Sequence, residues 1–382
     1  MTIIYISLPC FADCDFPLVK ELRKQGCRII HIIPITPRNL KSTLIEIECQ
    51  YPHDGIFKAS IYKEITQYSD YINDDTYVIN RTYTSKSIIK RINSSNKLYK
   101  FISSFNYDYV WTSQPFGISD LLLYNLKNII LTVHDPFPHT GESNLRRTFI
   151  EKIAYKRCKK FILLNNKQIN PFINKYHINP NSIIPNKLST YDCIKSFIEQ
   201  KNKNNVPYIL FYGRISPYKG IEYLLEAFKQ VHLKHPELHL IIAGNGNYHF
   251  DISEYKNLNF IEFKNYHIGM YESANLFQHA KFIVCPYIDA TQSGVIMTAF
   301  TMNKAVIATR VGALEECVID KVTGLIVPPK DSNELSKAIS ALYENTTILE
   351  EIENNIKQKY STGIHSWEYI AKKYISSLRN SD

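Results

Sequence analysis

Apolar and polar positions recur along this chain in two forms. Short runs rich in β-branched and aromatic residues, at 3–8 (IIYISL), 27–35, 107–111, 128–133 and 160–164, have the length and composition of buried strands. Between them lie stretches with helical spacing, such as 17–25, which Gly26 closes. The chain therefore opens with a strand, helix, strand unit, with a loop-like PCFADCDF after the first strand. Near-continuous apolar strands separated by helices imply a parallel sheet covered on both faces, so the first half reads as doubly wound α/β. At 200–207 (QKNKNNVP) the pattern lapses into polar and charged residues, and a strand at 208–212 starts it again. A helix at 221–232, strands at 238–243 and 282–285, a helix at 294–300 and a strand at 305–309 predict a second α/β domain. Residues 366–378, with Trp367, have the spacing of an amphipathic terminal helix that needs a surface to cover its apolar face. The expected organisation is a first domain over 1–200, a second over 206–360, and a terminal helix within 361–382 packing back on the first.

Composition narrows the picture in three ways. A chain of 382 residues with 45% hydrophobic and 21% charged residues suits two packed domains and excludes a disordered, collagenous or coiled-coil protein. No apolar run reaches the roughly 18–20 residues needed to span a bilayer, and residues 1–10 lack a basic leader region, so the expected location is the cytoplasm. Eight cysteines without a CxxC pair describe neither a zinc site nor a disulfide framework, and no metal ligand set is expected. The formal net charge of +9 favours an anionic partner.

Two loops carry phosphate chemistry. In FYGRISPYKG (211–220), Gly213 permits a tight turn after a strand, and Arg214 and Lys219 project from the loop before a helix. A planar guanidinium fork and a movable ammonium together suit a diphosphate; a solvated basic turn would carry the same residues. In DATQSGVIMTA (289–299), small and hydroxyl residues open a helix after an apolar strand, so that successive N–H groups face a phosphate at the helix's positive end. An ordinary N-cap is the other reading of that stretch. Both loops follow parallel strands, the place where such sheets bind ligands.

GRISPYKG, AGNGN at 243–247, CPYIDATQSGVIMTAF, AVIATRVGALEE and VTGLIVPP occur in this order and spacing in family 4 glycosyltransferases, which the chain resembles closely over 208–331 and more weakly elsewhere. The resemblance implies GT-B architecture, two facing Rossmann-like domains with the nucleotide sugar held mainly by the second. It implies a retaining, metal-independent transferase of hexosyltransferase type, without a cofactor, acting in cell-surface polysaccharide assembly. Arg214 and Lys219 would neutralise the donor diphosphate, and Ser293, Gly294 and Val295 would form its amide cradle. Gly213, Gly244, Asn245, Gly246, Gln292, Thr298 and Glu316 complete the implied donor side, with a helix N-cap as the alternative role for Glu316. The family commonly carries two Glu residues eight apart where this chain has Ala290 and Thr298. That departure leaves donor identity open and motivates a second reading, a silent sugar-nucleotide-binding subunit. A GT-B-like sugar-nucleotide epimerase is a third.

In the first domain, TVHDPFPH (132–139) follows an apolar strand. His134 at a strand's carboxyl end can hydrogen-bond a sugar hydroxyl near neutral pH, and the resemblance places it beside the donor sugar. Asp135 and His139 would orient it or meet the acceptor; a turn stabilised by Asp-Pro is the alternative. Asp13 and Asp15, in the first loop, read as helix caps or acceptor contacts rather than metal ligands. Residues 141–160 carry seven Lys/Arg against Glu142 and Glu151, with Phe149, Ile150, Ile153 and Ala154 interleaved. That is either a solvated helix or one resting on an anionic membrane surface, where a glycan or lipid-linked acceptor would be met. No nucleic-acid module accompanies the charge.

Overall fold

The computed structural model of the protein describes residues 1–382 except 42–43, 84–86, 135, 138–144, 199–205, 291–292 and 381–382. It divides into two compact units, Met1–Leu188 with Trp367–Asp382, and Ser189–Ser366.

The first unit is built on β1 (Thr2–Ile6), β2 (Arg28–Ile35), β3 (Gly55–Lys58), β4 (Thr76–Asn80), β5 (Tyr109–Thr112), β6 (Ile129–Val133), β7 (Lys160–Leu163) and β8 (Ile183–Pro185). Their order in the sheet is β3-β4-β2-β1-β5-β6-β7-β8, parallel throughout except for β3, which runs antiparallel to β4. β5 and β6 are buried at every position, as both-face coverage of a parallel sheet requires. Alternation along β5 shows the two layers. Tyr109 and Trp111 meet the C-terminal helix Trp367–Arg379, through a Tyr109 Oη bond to the Leu378 carbonyl at 2.9 Å and a Trp111–Tyr374 edge contact at 5.1 Å. Val110 points into the opposite cluster. That helix also packs on α1 (Ala12–Lys24). Past the short α2 (Lys63–Thr66), the opposite face carries α3 (Ile88–Ser103), the helical turns Ile118–Asn125, α4 (Leu145–Arg157) and α5 (Ile169–Tyr176). These share one core with Leu98, Ile102, Leu123, Tyr155 and Phe172.

The second unit has β9 (Tyr208–Tyr212), β10 (His239–Gly244), β11 (Ile261–Asn265), β12 (Ile283–Cys285), β13 (Val306–Thr309) and β14 (Gly324–Val327), all parallel in the order β11-β10-β9-β12-β13-β14. Its helices are α6 (Ile221–Lys234), α7 (Ser253–Lys256), α8 (Met270–His279), α9 (Gly294–Thr301), α10 (Leu314–Cys317), α11 (Ser332–Glu344) and α12 (Thr346–Ser361). Both units are thus Rossmann-like.

Two expectations change. The first helix starts at Ala12 rather than Pro17, which it carries inside; proline lacks the N–H for the carbonyl four residues back, so an interior Pro reads from sequence as a start. Asp13 and Asp15 therefore lie in a helical first turn and not in a loop. The second unit begins at Ser189, before the polar stretch expected to separate the domains. The turns Asp192–Phe197 pack on α8 and α9, with Phe197 edge-on to Tyr271 at 5.0 Å.

Candidate functional site

In the second unit the ends of β9 and β10 lie against each other as bare backbone. The N–H of Gly213 donates to the Ala243 carbonyl at 2.9 Å, and that of Ile215 to the Asn245 carbonyl at 3.0 Å. A Cβ on Gly244 would stand 1.8 Å from the Gly213 carbonyl oxygen, and one on Gly246 would stand 2.1 Å from that of Ile215. Their φ angles of +151° and +153° also suit glycine. Asn265, at the end of β11, fixes Gly246 from the other side, accepting from its N–H at 3.2 Å and donating to its carbonyl at 3.1 Å. Asn245 itself is exposed.

The two expected phosphate loops meet. Gly213 faces Val295, whose Cγ2 would touch a Cβ there at 3.5 Å, and the Ile288 N–H donates to the Tyr218 carbonyl at 2.8 Å. Lys219 is buried, with Nζ 3.6 Å above the centre of the Tyr287 ring. Burial lowers its pKa from 10.5 to about 8, with a further push from Arg214, while Cys285 acts the other way. A desolvated ammonium set over the rings of Tyr287 and Tyr218 gains from an anion placed beside it. Arg214 is exposed and, among the described residues, forms no ion pair.

Ser293 precedes α9 but its side chain does not cap it; its Oγ lies 3.4 Å from Tyr287 Oη. The first intrahelical bond to that residue comes from Met297, so the N–H groups of Gly294, Val295 and Ile296 have no acceptor within the helix. The ring of Tyr191 lies so close to Gly294 that a Cβ would meet it at 2.8 Å. Thr298 donates its hydroxyl back to the Gly294 carbonyl at 3.0 Å. Ala290 meets Gly312 instead of offering a carboxylate: a Cβ on Gly312 would stand 1.5 Å from the Ala290 carbonyl oxygen. Glu316 is the third residue of α10, whose N-cap is Ala313, so the capping role considered for it is not the one it has. Gln292 lies outside the described residues. Lys219, Gly213, Ser293, Gly294 and Val295 are therefore brought together; Tyr287, Tyr191 and Asn265 join them without having been singled out from sequence, although Tyr287 lies inside a quoted motif.

In the first unit His134 follows β6, half-buried, with its ring stacked on Phe11 at 4.1 Å. Both line a cavity of about 420 Å³ together with Ser113, Arg147, Glu151 and Tyr155. Glu151 is buried and accepts from Arg147 Nε at 2.6 Å. Asp135 and His139 lie outside the described residues. Asp13 and Asp15 do not cap α1, whose N-cap is Phe11 with no side-chain bond. Both are buried. Asp15 accepts from Tyr5 Oη at 2.8 Å and from Ser113 Oγ, and Asp13 accepts from the Cys14 N–H at 3.0 Å. Burial raises both carboxyls to about 7. Ser113 links this acidic cluster to the lining of the cavity beside His134. No three His, Cys, Asp or Glu side chains among the described residues are grouped as a metal-ligand set, and no helix among them is long and apolar enough to cross a membrane.

Residues 206–345 match the family described as glycosyl transferases group 1. The chain is 27% identical over 180 residues to an uncharacterized glycosyltransferase of Methanocaldococcus jannaschii, covering 44% of this chain and 43% of that one. It is 27% identical over 188 residues to the lipopolysaccharide 1,2-N-acetylglucosaminetransferase of Salmonella typhimurium, covering 45% and 48%. The chain thus spans about half the length of these relatives or less. In fold it is similar to Anabaena HepE, crystallised with UDP, at a TM-score of 0.69 and 15% identity over 100% of both chains. It is also similar to the UDP-GlcNAc 2-epimerase of Neisseria meningitidis bound to UDP-GlcNAc, at 0.64 and 12% over 100% of both. The fold is GT-B in its two Rossmann-like units, and the likeness to glycosyl transferases group 1 lies in the second of them.

Proposed function

We propose that the protein transfers a sugar, with retention, from a nucleotide diphosphate donor to a glycan or lipid-linked acceptor, without a metal ion, in the assembly of a cell-surface polysaccharide. The observation that carries this reading is the meeting of two loops, one holding Lys219 over the Tyr287 ring, the other opening α9 beside Gly213 with N–H groups that have no acceptor within the helix. As the glycosidic C–O bond breaks, negative charge builds on the departing diphosphate. A buried cation and fixed N–H dipoles stabilise that charge more than the ground state. Arg214, exposed in the free protein, closes on the same diphosphate. The leaving phosphate takes the acceptor's proton on the face it departs from, as the family resemblance implies. His134 bonds a donor-sugar hydroxyl, and the cavity it shares with Phe11 and Tyr155 receives the acceptor. Asn265 and Glu316 belong to the donor side, the first by holding Gly246. Peripheral attachment at an anionic membrane surface on the cytoplasmic side is part of this reading.

Calorimetry with UDP and other nucleoside diphosphates, followed by an acceptor screen with UDP-sugars, tests it; the solved relative with UDP makes that base the first to try. Micromolar binding with acceptor-dependent release of diphosphate is expected. Binding without any transfer would favour the silent subunit, the reading that Ala290 and Thr298 motivate. Release of an isomerised sugar without acceptor would favour an epimerase, which shares the architecture.

A further inference from the structure

The hydrophobic pattern of α3 does not match its burial. Its packed residues are Ser94, Ser95, Leu98 and Ile102, whereas Ile88, Ile89 and Ile92 are 65%, 76% and 52% exposed. Ile118 and Phe149, at 40% and 54%, are the next exposed large apolar side chains of the first unit; among its described residues only Tyr369, on the C-terminal helix, is otherwise comparably exposed. A single exposed Leu or Ile is ordinary, but a grouped set marks an interaction surface.

These five are grouped by topology. α3, the turns Ile118–Asn125 and α4 pack on the same face of the sheet, since both helices contact those turns and share one core with Leu98, Leu123 and Ala154. α3 follows β4, Ile118 opens the turns after β5, and α4 follows β6, three strands of one parallel set. The start of each segment therefore lies at the carboxyl end of the sheet, the end from which His134 emerges.

Among the described residues, the charge that α3 and α4 expose is positive. α3 contains no acidic residue and exposes Lys90, Lys97 and Lys100; α4 exposes Lys152 and Lys156. The acidic residues of these segments, Asp120 and Glu151, are held by Arg81 and Arg147 at 2.7 and 2.6 Å. Asp54, which lies near Lys90 and Lys97, accepts from the Thr82 N–H and hydroxyl. Dispersed isoleucines between lysines, with acids neutralised or tied back, are complementary to a surface of phosphate headgroups over an apolar interior.

We propose that this face of the first unit docks on an anionic lipid bilayer, with Ile88, Ile89, Ile92 and Phe149 entering the headgroup boundary and the lysines on lipid phosphates. The acceptor delivered to the His134 cavity is then lipid-anchored. This deepens the membrane attachment put forward above and locates it: α3 supplies most of the apolar contact, and both helices supply charge.

Co-sedimentation of the full chain with phosphatidylcholine vesicles, with and without phosphatidylglycerol, tests it, alongside UDP calorimetry and size-exclusion chromatography on the same preparations. Binding is expected only to the anionic vesicles, weakened by salt, and reduced roughly tenfold or more by Ile89→Glu/Ile92→Glu with the melting temperature unchanged. Ile89→Ser/Ile92→Ser serves if the glutamates hinder folding, because both side chains are already in water. Lys152→Glu/Lys156→Glu should weaken binding to the anionic vesicles. If the isoleucine variants sediment like the wild type while the lysine variant does not, the α3 surface is wrong and membrane attachment stands. No sedimentation at all, with UDP binding intact, overturns the attachment and leaves sugar transfer standing. A dimer in solution that the isoleucine variants dissolve would assign the face to a second copy of the chain and end the proposal.

Discussion

The two units place their candidate residues at the carboxyl ends of similar parallel sheets but hold them by different means. In the second, main chain is pressed against main chain at Gly213, Gly244 and Gly246, and the candidate cation, Lys219, is buried on an aromatic ring. In the first, the candidate residues are side chains brought together from Tyr5, Asp15, Ser113 and His134, with no comparable backbone cradle among the described residues. A cradle of N–H dipoles and one desolvated cation suits a ligand part that is always the same, such as a diphosphate. A cavity of side chains suits the part that differs from one acceptor to another.

Removing the cation is the sharpest way to break this contrast. Lys219→Met should lower turnover by about 10³-fold, the upper range for losing one transition-state charge contact. It should not lower the melting temperature at neutral pH, because it removes a buried charge. The pH dependence follows from the same burial. With the folded pKa near 8 and the ordinary value at 10.5, the unfolded chain binds the extra proton between those limits, so wild-type stability rises with pH across about 8 to 10. The Met variant should lose that rise in pH-dependent urea titrations. UDP affinity of the wild type should fall above pH 8 as the ammonium deprotonates. Turnover near the wild-type rate in the variant would remove Lys219 from the mechanism.

Glycine substitutions sharpen the comparison next. Gly244→Ala places a Cβ against the Gly213 carbonyl oxygen at an unfavourable φ. The expected cost is roughly 2–3 kcal/mol of stability and about 10²-fold in UDP affinity. In the first unit Gly26, at φ +84°, ends α1 with nothing within 4 Å of the added carbon, and Gly26→Ala should cost only about 1 kcal/mol by backbone strain alone. Equal losses in denaturant titrations would mean that the close approach of the β9 and β10 ends is not what Gly244 serves. Arg214→Ala should have a smaller effect than Lys219→Met, roughly tenfold on the donor's KM. The guanidinium starts in water and must be ordered on binding.

The same contrast explains what the sequence made legible. A backbone cradle needs glycine at fixed positions beside a strand end, so GRISPYKG, AGNGN and the TQSGV stretch stood out locally. The parallel sheets were legible because central strands are apolar at nearly every position. The acidic cluster of the first unit was not, because Ser113 lies 98 residues from Asp15 and only the folded sheet unites it with Asp15 and Tyr5. Pro17 hid the true start of α1, and α3 was hidden because it buries Ser94 and Ser95 and exposes isoleucines, the reverse of the amphipathic pattern. Tyr287 escaped notice because an aromatic residue after a core strand ordinarily signals packing, and its contact with Lys219 appears only when two loops meet.

The smallest expected effect bears on the first unit alone. Burial holds the carboxyls of Asp13 and Asp15 near 7, above the ordinary value of 3.8. The folded state therefore keeps protons that the unfolded chain releases between about pH 4 and 7, and this contribution to stability is full at the acid end and is lost as pH rises through 7. Asp15→Asn imitates the protonated acid. Its amide oxygen still accepts from Tyr5, and its nitrogen donates to a Ser113 hydroxyl that has turned to accept. The variant should match the wild type below about pH 4, gain on it progressively between about pH 4 and 7 and keep that lead at pH 8, and bind UDP within about twofold of it, since it leaves the second unit's cradle intact. If the variant is instead less stable at pH 8, the cluster is built around a carboxylate anion. If stability follows the expectation but acceptor turnover falls with UDP binding intact, Asp15 serves the acceptor through Ser113 and the cavity wall, and the first unit's chemistry reaches deeper than His134.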